Sequence, residues 1–405
     1  MTTMTKPTPG VYVWEAPGTF LTVASGASAV PAFLYAHPTG SLLDGPAENE
    51  QSKPDKKGKA KSRKGVAEAA QPAAGTDGAQ VLDNDAIVHR IPNWVTFTRE
   101  FGPADGSEFV LDRGNVLHLA VKTYLDNGGG LFYTVSTGEG WAEEIESRED
   151  ITLVVQAGTG PAALAGEIAA LCEKPFQTRF GLLDGPVGPL PLPTGFPEGP
   201  NIAAFYPWLE ASWAGENKIP PSAAVAGAIC ETDGLHGPWH AAANFDLRGG
   251  VTPLIHISDS DQADYMEPAL NMIRAFPGRP SVIWGVRTRD NTPENKYIPV
   301  RRLMLNAQKD IRKALRPLIF EPNHQPTWQR ARGAITSYLR RIWEQGGLMG
   351  GTENEAFFVQ VGLDETMVQA DLLEGKMIIH VGLAITRPAE FIVLRFTQIM
   401  NMPAA

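Results

Sequence analysis

The residues with the best claim to chemistry are Gly158-Thr-Gly160-Pro-Ala-Ala163 together with Asp184. The glycine segment follows a short apolar run at 151–155 and opens a stretch of helical composition, while Asp184 closes the next apolar run. A bound dinucleotide needs this arrangement: glycines for the turn, helix N-terminal amides for the pyrophosphate and an acid for the ribose. Three features weaken the match. Pro161 removes an amide, Ala163 replaces the third glycine, and the unit begins at residue 151 instead of near the start. A tight strand-to-helix turn favours glycine for its own sake. An NAD-type α/β oxidoreductase built on Gly158, Gly160, Ala163 and Asp184 is therefore kept as the alternative reading.

The other reactive residues carry less. His236 and His240 have the spacing of metal ligands on one helix face, but Gly237-Pro238 between them breaks such a helix, so both read as loop histidines. Asp259, Asp261 and Asp264 lack the glycine and terminal glutamate of a calcium loop and read as a solvated loop. Cys172 and Cys230 sit beside apolar neighbours and read as small core residues. Phosphate-loop, zinc-protease and nucleophile-elbow motifs are missing. No catalytic residue, cofactor or metal is expected, and the chain reads as a non-enzyme.

The elements that hold these residues form two patterns. At 405 residues and 43% hydrophobic content, the chain has length for two or three domains. A strand is expected at 29–36. Between residues 94 and 207 strands and helices alternate: a helix at 116–127 stopped by Gly128-Gly129-Gly130, strands at 131–135, 151–155 and 179–183, and a helix at 162–174. Such alternation predicts an α/β layer with largely parallel strands. Residues 184–200 form a Pro/Gly-rich loop. Further on, Val300, Leu303, Ala307, Ile311, Ala314 and Leu318 share one helical face. Trp328, Ala331, Ile335, Leu339 and Ile342 share another, which stops at Gly346-Gly347. Strand-like runs follow at 356–361, 377–385 and 391–397. This part reads as α+β, two amphipathic helices on a small sheet.

Residues 44–80 break both patterns. The Lys-rich core of this segment, 53–64, has no aromatic residue and too little apolar surface to offset ordering, so it reads as a disordered surface insertion. A salt-sensitive nucleic-acid tether is a third reading of this run, though the formal net charge of −10 argues against a general nucleic-acid binder. No apolar run is long enough to cross a bilayer, and the first ten residues lack the apolar region of a secretory signal. Between Arg287 and Glu344 thirteen basic residues stand against five acids, about +8 in an acidic chain. That asymmetry points to a basic surface meeting an acidic partner, or to the solvated faces of two helices.

Several segments together resemble one family. Ala203-Ala-Phe-Tyr-Pro-Trp-Leu209, Ile219-Pro-Pro-Ser-Ala-Ala-Val-Ala-Gly227, Thr232-Asp233 and Gly237-Pro-Trp239 form its central part. Pro277-Gly-Arg279, Val282-Ile-Trp-Gly-Val-Arg-Thr288, Phe320-Glu-Pro-Asn323 and Arg387-Pro-Ala-Glu-Phe-Ile-Val-Leu-Arg-Phe396 continue it. In this order, with Pro9-Gly-Val-Tyr-Val13 at the start, the chain resembles the contractile tail sheath proteins of phages, R-type pyocins and extracellular injection systems. The insertion at 44–80 is not part of that pattern.

The resemblance implies a multi-domain architecture: an N-terminal linking arm at 1–20, an outer α/β domain at 21–275, a tube-facing α+β domain at 276–389 and a C-terminal arm at 390–405. It implies arms that add strands to sheets of neighbouring copies, here through Val11, Tyr12, Val13 and Trp14 and through Phe391, Ile392, Val393, Leu394 and Phe396. Either strand could instead pair within its own chain. The implied partners are many copies of the same chain in a helix, an inner tube, and baseplate and terminal cap proteins, with no nucleic acid and no membrane insertion. Assembly is expected in the bacterial cytoplasm, into a virion or a phage-tail-like particle. The expected tube-facing charges are those of one basic helix or the other: Arg301, Arg302, Lys309, Arg312, Lys313 and Arg316, or Arg330, Arg340 and Arg341.

Overall fold

A computed structural model describes residues 25–36, 86–103, 107–160, 162–266 and 269–390. The expected arm strands at 11–14 and 391–396 and the insertion at 44–80 lie outside the described residues. In chain order the elements are β1 (Pro31–Tyr35), β2 (Val88–Ile91), α1 (Trp94–Glu100), α2 (Val116–Asp126), β3 (Phe132–Ser136), α3 (Trp141–Ser147), β4 (Leu153–Val155), α4 (Ala162–Glu173), β5 (Phe180–Asp184), β6 (Ile202–Tyr206) and β7 (Leu209–Glu210). Then come α5 (Pro221–His236), β8 (Phe245–Asp246), β9 (Thr252–Pro253), α6 (Asp259–Asp264), β10 (Leu270–Ala275), β11 (Ser281–Trp284), α7 (Ile298–Leu315), α8 (Gln325–Glu344), α9 (Glu353–Ala356), β12 (Phe357–Gln360), α10 (Gln369–Leu373) and β13 (His380–Leu383).

The larger body is built on a nine-stranded sheet in the order β2-β3-β1-β4-β5-β6-β10-β11-β8. The strands from β3 through β10 run parallel, with β2, β11 and β8 antiparallel to their neighbours. Both faces of the parallel strands are buried, which is why they read as nearly continuous apolar runs. Successive side chains point to opposite faces: Phe33, Val155, Leu182 and Phe205 pack with α2 and α5, while Leu34, Val154, Leu183 and Tyr206 pack with α3 and α4. A domain boundary was expected at 276, and no strand just beyond it. β11 lies past that position and forms an antiparallel hairpin with β10, so the large sheet continues beyond it.

The smaller body stacks α7 and α8 on each other and on the antiparallel pair β12–β13, as the apolar faces predicted. Leu303, Ala307, Ile311, Leu339, Ile342 and Phe357 form its core. α8 ends where Gly346 takes a φ of +84° and Gly347 N–H donates back to Ile342 O at 2.8 Å, a left-handed stop that favours glycine.

Candidate assembly interface

The Gly158 turn is occupied by the protein itself. Asp184, at the end of β5, accepts the Gly158 N–H at 2.8 Å, the Ser222 N–H at 2.8 Å and the Ser222 hydroxyl at 2.9 Å. Its carboxylate thus closes the turn after β4 and caps the N-terminus of α5, where helix amides favour negative charge. Gly158 has a φ of +72°, and a Cβ there would lie 2.7 Å from the Trp208 ring. The amide and the acid that a dinucleotide would use are spent on each other, and Trp208 covers the turn. The oxidoreductase alternative on Gly158, Gly160, Ala163 and Asp184 is therefore set aside: Gly158, Asp184 and Ser222 make a structural knot, and Ala163 is exposed on α4. Burial pushes the Asp184 carboxyl up to about 6, against the pull of its three donors.

The remaining reactive residues are structural as well. The rings of His236 and His240 lie 4.9 Å apart, and His236 closes α5 instead of lying in a loop. Among the described residues no group of three or more His, Cys, Asp or Glu is placed to hold a metal. The segment of Asp259, Asp261 and Asp264 is not a loop but a helical turn. Ser258 and Asp261 form a reciprocal capping box, and Asp259 pairs with Arg274 at 2.7 Å. The signal, a serine three residues before an acid, was legible in the sequence. Burial pushes the Cys172 thiol up to about 12 and the Cys230 thiol up to about 11.

The basic helices divide by location. One side of α7 faces the larger body. Arg301 is buried, with its guanidinium on Asn201 Oδ1 and Asn295 Oδ1 at 2.8–3.2 Å. Arg302 is clamped on Asp233 at 2.6 and 2.8 Å, both side chains 3% exposed. These two were expected to face a tube; they are internal struts, because an α7 packed on two sides leaves no outward surface at those positions. Lys309 donates to Ala27 O at 2.6 Å and Arg312 to Phe176 O at 2.5 Å, and burial lowers the pKa of both. Lys313, Arg316, Arg330, Arg340 and Arg341 are exposed. Arg316 pairs with Glu149, Arg330 with Glu321, and Arg340 with Glu353 through two nitrogens; Arg341 lies over the Tyr338 ring.

The pair β12–β13 aligns Phe357 with Leu383 and Gln360 with His380. Phe357, Val359, Val381 and Leu383 face the helices, while Phe358 is 44% exposed on the other face. Ala384 N–H donates to Ala356 O at 3.2 Å, continuing the same register. Bonded and non-bonded pairs alternate along an antiparallel ladder. The bonded pairs are thus Phe358/Gly382 and Gln360/His380, and the main-chain groups of Val381 and Leu383 point away from β12. Among the described residues β12 is the only strand paired with β13. A two-stranded sheet is marginal by itself; this one relies on α8 beneath it.

Comparison with known proteins agrees with this architecture. Residues 290–399 match the phage tail sheath C-terminal domain. The tail sheath protein of Vibrio phage KVP40 is 25% identical over 134 residues, which span 32% of this chain but only 20% of that longer protein. The sheath complex of PVC, an extracellular contractile injection system, in its contracted state is 34% identical, with a TM-score of 0.74 over 98% of this chain and 99% of that one. The helical sheath of the anti-feeding prophage in its contracted state is 32% identical, with a TM-score of 0.72 over 97% and 99% of the two chains. A third of the residues are thus identical along the full length of a solved sheath protein, and the chain belongs to the contractile tail sheath family as a sheath subunit.

Proposed function

We propose that this subunit polymerises helically around an inner tube and contracts to drive that tube through a target envelope. The observation that carries the reading is the full-length likeness to sheath chains solved in a contracted state. Likeness to a chain of the anti-feeding prophage baseplate, 33% identical, supports a baseplate as a further partner. The work is mechanical: rigid bodies re-pack between two lattices while terminal links keep the copies connected. Assembly takes place in the cytoplasm, around the tube and up to a terminal cap.

The links are residues 1–20 and 390–405. Val11, Tyr12, Val13 and Trp14 of one copy and Phe391, Ile392, Val393, Leu394 and Phe396 of another add strands beside β12–β13 of a third. Main-chain hydrogen bonds supply much of each link. The outward main-chain groups of Val381 and Leu383 and the small size of the sheet support this reading. Head-to-tail contacts of this kind make open helices, as a sheath requires. The tube-facing charge is carried by Lys313, Arg316, Arg330, Arg340 and Arg341, whose exposed ionic contacts are weak, screened by salt and easily released during contraction.

Negative-stain electron microscopy of the intact chain and of a variant lacking residues 1–15 tests the links. Hollow tubes from the intact chain that disappear on deletion are expected. Equal tube yield from both would refute the N-terminal link. Reversal of the five exposed charges should impair extended assembly on the tube, and normal assembly would remove them from the tube interface.

A further inference from the structure

Residues 26–28 and Glu390 are both anchored on or beside one helix, α7. On the N-terminal side, Gly26 N–H donates to Asp310 Oδ2 at 3.1 Å, Lys309 donates to Ala27 O at 2.6 Å and Arg302 to Ser28 O at 3.1 Å. Tyr338 of α8 donates to the same Asp310 oxygen at 2.9 Å, which fixes the acceptor. Lys309 and Asp310 lie in the second half of α7, and Arg302 lies near its start. On the C-terminal side the anchor is Glu390, the residue from which the chain continues into 391–405. Its carboxylate takes two bonds from the Arg287 guanidinium at 2.7 and 2.9 Å and one from the Tyr297 hydroxyl at 3.2 Å, with Lys296 Nζ at 3.9 Å. Arg287 is itself held, since its third nitrogen donates to Met266 O at 2.7 Å. Tyr297 is the N-cap of α7.

A two-pronged guanidinium–carboxylate pair is among the strongest and most directional of side-chain contacts. Here the two side chains are 11% and 16% exposed, so salt screens them little. The clamp lies beyond the last core residue of this segment, Ile385, and ties the chain at Glu390 to the start of α7. From Tyr297 to Asp310 the helix rises about 20 Å at 1.5 Å per residue, which separates the Glu390 anchor from the Gly26 anchor.

We propose that Glu390 is a positioning residue, seated in a socket of Arg287, Lys296 and Tyr297, and that this socket together with α7 sets where both inter-subunit links leave the subunit. The inference rests on the reading that the terminal segments link neighbouring copies. It deepens that reading by assigning the spacing of the links to one rigid helix instead of to the links themselves.

The test uses the full chain, with sheath yield measured by sedimentation and electron microscopy and folding followed by circular dichroism. The variants are Glu390→Gln, Arg287→Ala, the double variant, and a truncation that ends at Glu390. Each single variant is expected to keep the circular dichroism of the parent and to lower sheath yield about tenfold, the scale of one lost charge-assisted contact. The double variant should fall no further than either single one, because both remove the same pair. The truncation should abolish sheath. If the truncation is lost but the folded single variants assemble at parental yield with parental twist and rise, the socket has no positioning role. If the truncated chain assembles normally, the link itself is wrong and the inference falls with it.

Discussion

Replacing Arg302 by methionine separates an internal strut from a surface charge. The Arg302 and Asp233 side chains are each 3% exposed, with two bonds of 2.6 and 2.8 Å between them. At a charge separation of about 4 Å and an effective dielectric constant of about 20, their attraction is about 4 kcal/mol. Arg302→Met removes that attraction and leaves the Asp233 carboxylate buried without its cation, a loss of about 3–5 kcal/mol. Replacing both partners, as Arg302→Met with Asp233→Leu, removes the stranded charge. The double variant should then lie within about 1 kcal/mol of the parent. Urea unfolding followed by tryptophan fluorescence measures all three variants against the parent. A single variant within about 0.5 kcal/mol of the parent, the range of ordinary surface substitutions, would refute the burial of this pair and return Arg302 to the exposed set.

Other properties of the cores give further expectations. Burial raises the Asp184 carboxyl from its ordinary 3.8 to about 6. Because the folded state holds that proton more tightly than the unfolded state, Asp184 costs stability as pH rises through 4 to 6, by about 3 kcal/mol in all. The difference in urea stability between the parent and Asp184→Asn should change with pH over that window; a constant difference would remove Asp184 as the titrating group. Gly158→Val should lower stability by about 3 kcal/mol or prevent folding, since its Cβ would meet Trp208 at 2.7 Å in a left-handed backbone; a thermal midpoint equal to the parent's would contradict that packing. The native protein should not quench or enhance the fluorescence of a reduced nicotinamide cofactor, because the Gly158 amide is already bonded to Asp184; saturable binding by the native protein would reinstate a dinucleotide site. Cys172 should resist a thiol-specific reagent at pH 8 until the chain is unfolded, and rapid labelling of Cys172 in the folded protein would contradict its burial.

Local periodicity made much of the fold legible. The helix at 116–127, the strands around 131–135, 151–155 and 179–183, and the apolar faces of α7 and α8 all appear close to where their patterns put them. These are features in which neighbours in sequence decide the outcome. The basic face of α7 was misread for the converse reason. Arg301 and Arg302 look like solvated charges until Asn201, Asp233 and Ser28 are brought against them, and no spacing within the helix announces partners so far away in the chain. The Asp184 knot is similar: the glycine turn and the acid were both visible, but that the acid is spent on the turn depends on α5 arriving with Ser222. β11 crossed an expected boundary because a hairpin pairs with its neighbour in the sheet wherever the domain pattern changes. The family was carried by short segments spread over the whole chain, which is why it was readable before any site was.

The most direct measurement is a helical reconstruction, by electron cryomicroscopy, of the sheath assembled from this chain around its tube. The account predicts a hollow lattice in which β12–β13 gains strands from the terminal segments of two neighbouring copies, and in which Lys313, Arg316, Arg330, Arg340 and Arg341 turn toward the tube. A lattice in which both terminal segments fold back on their own subunit, with β12–β13 still two-stranded, would contradict it.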